Sequence, residues 1–151
     1  MSHFSTVKTR LVNRECLVQA LEALKLQPVV YETPQPLTGY YGNDEGQSAE
    51  IIVRGRTIKA RADIGFKWSP ADSVYQVIHD EYETGPRLGE NFFTHQLMQA
   101  YGKRMVTAKA VELQEQFGSC TITEESNGQV QTLRLTFTGH QHQEVKQFAR
   151  R

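Results

Sequence analysis

Apolar positions along the chain follow two periods, and the switches between them predict the elements. Phe4 to Thr9 mixes aromatic and β-branched residues and reads as a short strand. Leu17, Ala20, Leu21 and Leu24 then recur at helical spacing. Asn13 is suited to cap that helix, Glu15 lies in its first turn, and Pro28 bounds it. Val29 to Thr33 and Ala49 to Val53 are predicted strands, separated by a Gly- and Pro-rich loop from Pro34 to Gly46. The clearest period-two signal follows, where Ile58, Ala60, Ala62, Ile64, Phe66 and Trp68 alternate with Lys59, Arg61, Asp63, Gly65 and Lys67. It predicts one strand with a buried and a wet face, in an antiparallel sheet covered on one side. In that register Ile58, Ile64, Phe66 and Trp68 face the core, across from Leu21, Leu97 and Leu135.

After a turn at Ser69 to Asp72, Val74 to Asp80 is the next predicted strand, and Gly85, Pro86 and Gly89 separate it from a long helix. That helix spans Glu90 to about Gln116, with Phe93, Leu97, Ala100, Tyr101, Ala108 and Val111 as its stripe and Gly102 as a point where it can bend. Gly118 suits a left-handed helix end. Cys120 and Ile122 precede Asn127-Gly128, a type I′ turn signal, and Leu133, Leu135 and Phe137 alternate after it, giving a terminal hairpin. Residues 1–139 then form a single α+β domain, and 140–151 a polar C-terminal tail. The order β-α-β-β-β-β-α-β-β predicts an α+β fold of two layers, a mostly antiparallel curved sheet with two helices. Its first seven elements run in the order of a TATA-box-binding-protein-like, or helix-grip, repeat, an analogy of topology that carries no function.

Composition narrows the function classes. The 151 residues hold 17 basic and 17 acidic side chains, so the net charge is zero. That excludes the global electrostatic signature of a nucleic-acid or membrane-surface binder but leaves room for a local patch. No apolar run reaches the roughly 18 residues of a membrane span, and MSHFSTVKTR lacks the apolar stretch of a signal peptide. Cys16 and Cys120 suit a reducing compartment and no disulfide framework, and Cys16 sits beside the first helical stripe as a core filler. A cytoplasmic location is expected.

Several stretches together carry a family resemblance. They are the opening MSHFSTVKT, Thr38-Gly39-Tyr40-Tyr41-Gly42, Ala49-Glu50-Ile51-Ile52-Val53, Ala62-Asp63-Ile64-Gly65-Phe66, Tyr75 to Asp80, Gln99-Ala100-Tyr101 and the closing hairpin. The chain resembles an uncharacterised family of cyanobacteria and algal plastid genomes, in the same order over residues 1–137. It departs from that family in a longer Arg54-to-Arg61 segment, in Gly102 and in a tail with His140 and His142. The resemblance implies the cytoplasm of a phototroph or a plastid stroma, and an accessory role near photosynthetic or ATPase machinery. It carries over no catalytic residue.

Candidate chemistry is sparse. Asp80 and Glu81, with His79 before and Glu83 after, form the densest ligand-type cluster. Strand alternation would split it, the Asx/Gly spacing of a calcium loop is missing, and it reads as a solvated strand end. His140 and His142 lack the partners of a zinc site. No nucleophile elbow, P-loop, dinucleotide fingerprint or C-x-x-C occurs, so no catalytic residue, metal or cofactor is assigned. Arg54, Arg56, Lys59, Arg61 and Lys67 stand against Asp63 alone, and Lys59, Arg61 and Lys67 fall on the predicted wet face. The acidic stretch from Asp80 to Glu90 has the complementary charge. Tyr40 and Tyr41, on a Gly-flanked loop with Leu37, are the residue types enriched in interface hot spots. The first reading is a non-enzymatic interaction or assembly-accessory protein that contacts a protein partner through Tyr40, Tyr41, Arg54, Lys59, Arg61 and Lys67. The alternative is an RNA-binding module on the basic strand face, although Phe66 and Trp68 would lie on the opposite face. A third is a small-ligand enzyme in the curve of the sheet.

Overall fold

A computed structural model describes residues 2–117, 120–127, 130–137 and 142–148, with side chains through residue 114. Five strands, β1 (Phe4–Leu11), β2 (Val29–Pro36), β3 (Ser48–Val53), β4 (Ile64–Ser69) and β5 (Val74–Asp80), pair antiparallel in the order β1-β5-β4-β3-β2. β1 and β2 are the edges. α1 (Arg14–Ala23) starts where the Asn13 Oδ1 accepts the Cys16 N–H at 2.9 Å, so the expected cap is formed. It packs against α3 (Leu97–Phe117), and both helices cover one face of the sheet. The fold is α+β, as expected.

Between helices and sheet, Leu17, Leu21, Ile64, Phe66, Val77 and Leu97 are fully buried in one cluster. Each contributes about 1.5–3 kcal/mol by leaving water. The predicted inward register therefore holds at Ile64 and Phe66, with Ile58 and Trp68 half-buried against the same cluster. The Leu135 side chain lies outside the described residues.

Three expectations are corrected. Ile58 to Ala62 is not strand. Gly55–Ile58 forms a 3-10 turn, Lys59 takes a left-handed φ of 59°, and β4 begins at Ile64. The chain reverses so tightly that a Cβ on Gly55 would lie 2.6 Å from the Ala60 carbonyl oxygen and 2.8 Å from that of Ala62. The far face of the sheet is also not wet throughout. Leu37, Ala49, Ile52 and Ile78 make a second buried cluster there, under the loop after β2. Gly65 admits that loop, because a Cβ would sit 2.7 Å from Leu37 Cδ1. Finally, α2 (Glu81–Leu88) occupies the stretch read as a strand end. Asp80 Oδ1 accepts the Tyr82 N–H at 2.9 Å, and Glu81 and Glu83 complement the helix dipole.

A π turn at Phe92–Gln96 leads into α3, which contacts α1 and then the second sheet, formed by β6 (Cys120–Asn127), β7 (Val130–Phe137) and β8 (His142–Phe148). With two partners its buried stripe turns. Val106, Ala110 and Leu113 are buried, whereas Ala108 is exposed and Val111 is 54% exposed. β6 and β7 are the expected hairpin. β8 adds a third strand from residues read as polar tail.

Candidate functional site

The loop carrying the two tyrosines is pinned by a buried carboxylate. Asp63, only 4% exposed, accepts the Thr38 N–H and an Arg54 guanidinium N–H at Oδ2 and the Gly55 N–H at Oδ1, each at 2.8 Å. The Asp63 N–H returns a bond to the Thr38 carbonyl at 2.8 Å. Arg54 also donates to the Tyr31 hydroxyl at 3.2 Å, and this bond and the Asp63 pair hold its pKa above the usual range. Beyond Thr38 the Gly39 N–H bonds the Asn43 carbonyl at 2.7 Å, closing a tight excursion that presents Tyr40 and Tyr41 edge to face, 5.0 Å apart. The Arg61 guanidinium stacks 4.9 Å from the Tyr40 ring centre, an arrangement worth about 0.5–1 kcal/mol at an exposed position. Tyr41 is 63% exposed.

α2 clamps the other side of this corner. The Arg61 N–H donates to Glu83 Oε1 at 2.5 Å, Arg87 Nη1 lies 3.5 Å from Glu83 Oε2, and Arg87 Nε donates to the Lys59 carbonyl at 2.9 Å. Of the six residues singled out from sequence, the structure thus brings Tyr40, Tyr41 and Arg61 together. Lys59 is exposed two residues from Arg61, and Arg54 is turned inward to Asp63. Lys67 alone stands on a strand, opposite Gln76. The single basic strand face predicted by the alternation is not formed, because Lys59 and Arg61 sit in a turn.

Sequence reasoning missed a second feature. A cleft of about 670 Å³ lies between the end of β5, α2 and the π turn, lined by His79, Glu81, Tyr82, Thr84, Glu90 and Phe93 among others. His79 is 6% exposed; its Nδ1 lies 2.8 Å from Thr84 Oγ1 and its ring 4.6 Å from that of Phe93. Burial lowers its pKa, opposed by the nearby Glu81 and Asp80. The acidic cluster read from sequence is dispersed by the helix. Asp80 becomes the cap, Glu83 turns to Arg61 and Arg87, and Glu81 reaches the cleft. The available signal was Asp80 followed by two acidic residues within one turn, a helix-start pattern. Asp80 Oδ2 is buried without a partner. Among the described residues no group of three or more His, Cys, Asp or Glu is placed to hold a metal ion, and no helix is long and apolar enough to cross a membrane. Cys16 is buried in the core, which raises its thiol pKa.

A family model described as a protein of unknown function, DUF1257, matches residues 20–136. The chain is also 31% identical over 112 residues to uncharacterized protein ycf35 of Cyanophora paradoxa, covering 74% of this chain and 80% of that protein. No solved structure matches significantly. The match spans the tyrosine loop and the central strands that carry the family resemblance, and the chain belongs to the DUF1257 family.

Proposed function

We propose that this chain is a non-enzymatic, protein-binding accessory module whose contact surface is built on Tyr41, Tyr40 and Arg61. The observation that supports this reading is an exposed aromatic ring on a loop held by a buried carboxylate. An anchor already fixed in place loses little freedom on binding, and that is how a small patch achieves a long-lived complex. Arg61 supplies a charge at the rim, where it steers and orients more than it binds. The setting is that of the family resemblance, the cytoplasm of a phototroph or a plastid stroma.

Immobilised protein exposed to phototroph lysate tests the reading, with Tyr41→Ala, Arg61→Glu and Lys67→Glu alongside the wild type. Capture of a defined protein should be lost with Tyr41→Ala, weakened with Arg61→Glu and kept with Lys67→Glu. Tyr41→Ala, at an exposed ring, shifts stability by no more than about 0.5 kcal/mol, and Arg61→Glu gives up a stack worth about 0.5–1 kcal/mol, so neither loss of capture would be a folding artefact. Capture should survive RNase and decline gently with salt. RNase-sensitive capture with a steep salt slope, near 0.7 per neutralised phosphate, would instead support the RNA reading. Equal capture by wild type and Tyr41→Ala would place the surface elsewhere.

A further inference from the structure

We propose that the cleft beside His79 is a binding site for a small organic cation, a primary ammonium or amidinium group carried on an apolar body. It is independent of the tyrosine surface, and the inference starts from the protons on three atoms. The Thr84 hydroxyl donates to the Asp80 carbonyl at 3.2 Å, the back-bond of a threonine one turn into a helix. That commits its one proton. The 2.8 Å contact with His79 Nδ1 is then a hydrogen bond only if the imidazole donates and Thr84 accepts. Burial disfavours the charged ring, so His79 is a neutral imidazole with its proton on Nδ1 and a lone pair on Nε2.

Nε2 has no hydrogen-bond partner among the described residues and is not sealed in, since the buried unpartnered side-chain atom there is Asp80 Oδ2. The ring lines the cleft, so a side chain more than nine-tenths buried opens an unused acceptor into it. An acceptor with no proton calls for an N–H or O–H donor. Glu81 and Glu90 choose between these. Both line the cleft and are exposed, neither makes an ion pair among the described residues, and no Lys or Arg is among the lining residues. Two carboxylates and no counter-charge favour a cation and repel an anion. The start of α2 offers an anion nothing either, because Asp80, Glu81 and Glu83 already complement it. Val7, Pro86 and Phe93 supply apolar wall, and the volume lies within the 300–1,000 Å³ of small-molecule sites.

Gly85 makes the test clean. It lines the cleft, and a Cβ there would meet no atom within 4 Å, so Gly85→Leu can add bulk at the cleft with no clash at its Cβ. Benzylamine is the probe and benzyl alcohol its uncharged counterpart, each titrated into the full chain and followed by calorimetry and by ¹⁵N signals of the His79 ring. Benzylamine should bind at least tenfold more tightly than benzyl alcohol. That margin should vanish in the Glu81→Gln/Glu90→Gln double variant, and binding should vanish in Gly85→Leu. His79→Asn should also weaken binding, because the Asn amide keeps a donor toward Thr84 but removes the Nε2 acceptor. The free protein should show the Nδ1-protonated ring. Equal binding of amine and alcohol, no binding of either, unchanged binding in Gly85→Leu, or a ring protonated on Nε2 would each overturn the proposal. Lysate capture through Tyr41 should be unaffected in Gly85→Leu, so failure of one reading is distinguishable from failure of the other.

Discussion

The Tyr101 hydroxyl accepts the backbone N–H of Asn13 at 2.9 Å, from 88 residues further along the chain, and that of Val12 at the same distance. Asn13 caps α1, so α3 holds the start of the helix it packs against. Tyr101→Phe keeps the ring in the core but leaves both amides short of a partner. It should cost about 1–3 kcal/mol, the desolvation penalty of an unmade bond. Urea unfolding should show a lower midpoint at unchanged slope, and amide exchange at Val12 and Asn13 should accelerate. An unchanged midpoint would mean that water replaces the hydroxyl without loss.

Asp63 ties the tyrosine loop, the 3-10 turn and Arg54 to one buried point. Asp63→Ala should destabilise by about 3 kcal/mol, the low end for a broken buried pair, because Arg54 is partly solvated. A double-mutant cycle with Arg54→Ala should return a favourable coupling energy. Protease cleavage between Gly39 and Gly46 should become faster in Asp63→Ala. A variant that resists protease like the wild type would show the loop is held by other means.

Gly65, in β4, leaves the room into which the loop packs Leu37. In Gly65→Ala the new methyl would sit 2.7 Å from Leu37 Cδ1 and 2.8 Å from the Ala49 Cβ. Leu37 can swing aside, but the Ala49 Cβ moves only with its strand. Overpacking of this kind costs about 1–3 kcal/mol. Adding Leu37→Ala should relieve part of the clash, so the double variant should lose less than the two single losses combined when measured by thermal unfolding.

His79 gives stability a pH dependence with a defined sign. Burial holds the folded imidazole below its ordinary value of about 6.5. As the pH falls through about 6.5, the unfolded chain takes up a proton that the folded chain refuses. The contribution is complete above that pH, declines below it, and stops declining once the folded ring also protonates. His79→Asn removes this titration. The stability gap between wild type and variant, measured by urea unfolding, should therefore be constant from pH 8 to 7 and shrink toward pH 5. Parallel curves would show that the ring charges equally in both states.

Legibility followed sequence distance and residue type. α1 was legible because its cap, first-turn acid and stripe are all local. Ile64 and Phe66 were legible because strand alternation there coincides with a real ladder to Ile51 and Val77. The same alternation misled at Ile58 to Ala62, where Ala60 and Ala62 are small enough for a strand or a turn and the deciding residue, Gly55, lies outside the pattern. α2 was hidden by Gly85 and Pro86; Pro86 has no N–H to donate to the Tyr82 carbonyl four residues back, and the helix runs only two residues beyond it. At the candidate site, Tyr40 and Tyr41 were legible by type. Their link to Arg61, and the link of Thr84 to His79, depend on turns and on a helix that no periodicity announced.

The two edges of the main sheet are not equivalent. β2 ends in Thr33-Pro34-Gln35-Pro36, and two prolines within four residues take two N–H groups from the end of that strand. An incoming strand there would find acceptors with too few donors and could not complete a ladder. β1 has no proline over its eight residues. Growth of this sheet thus favours one direction: an added strand, from a partner or from another copy, meets no proline along Phe4–Leu11, where the terminal Phe4 and Leu11 N–H groups are already taken by Glu45 and Thr9.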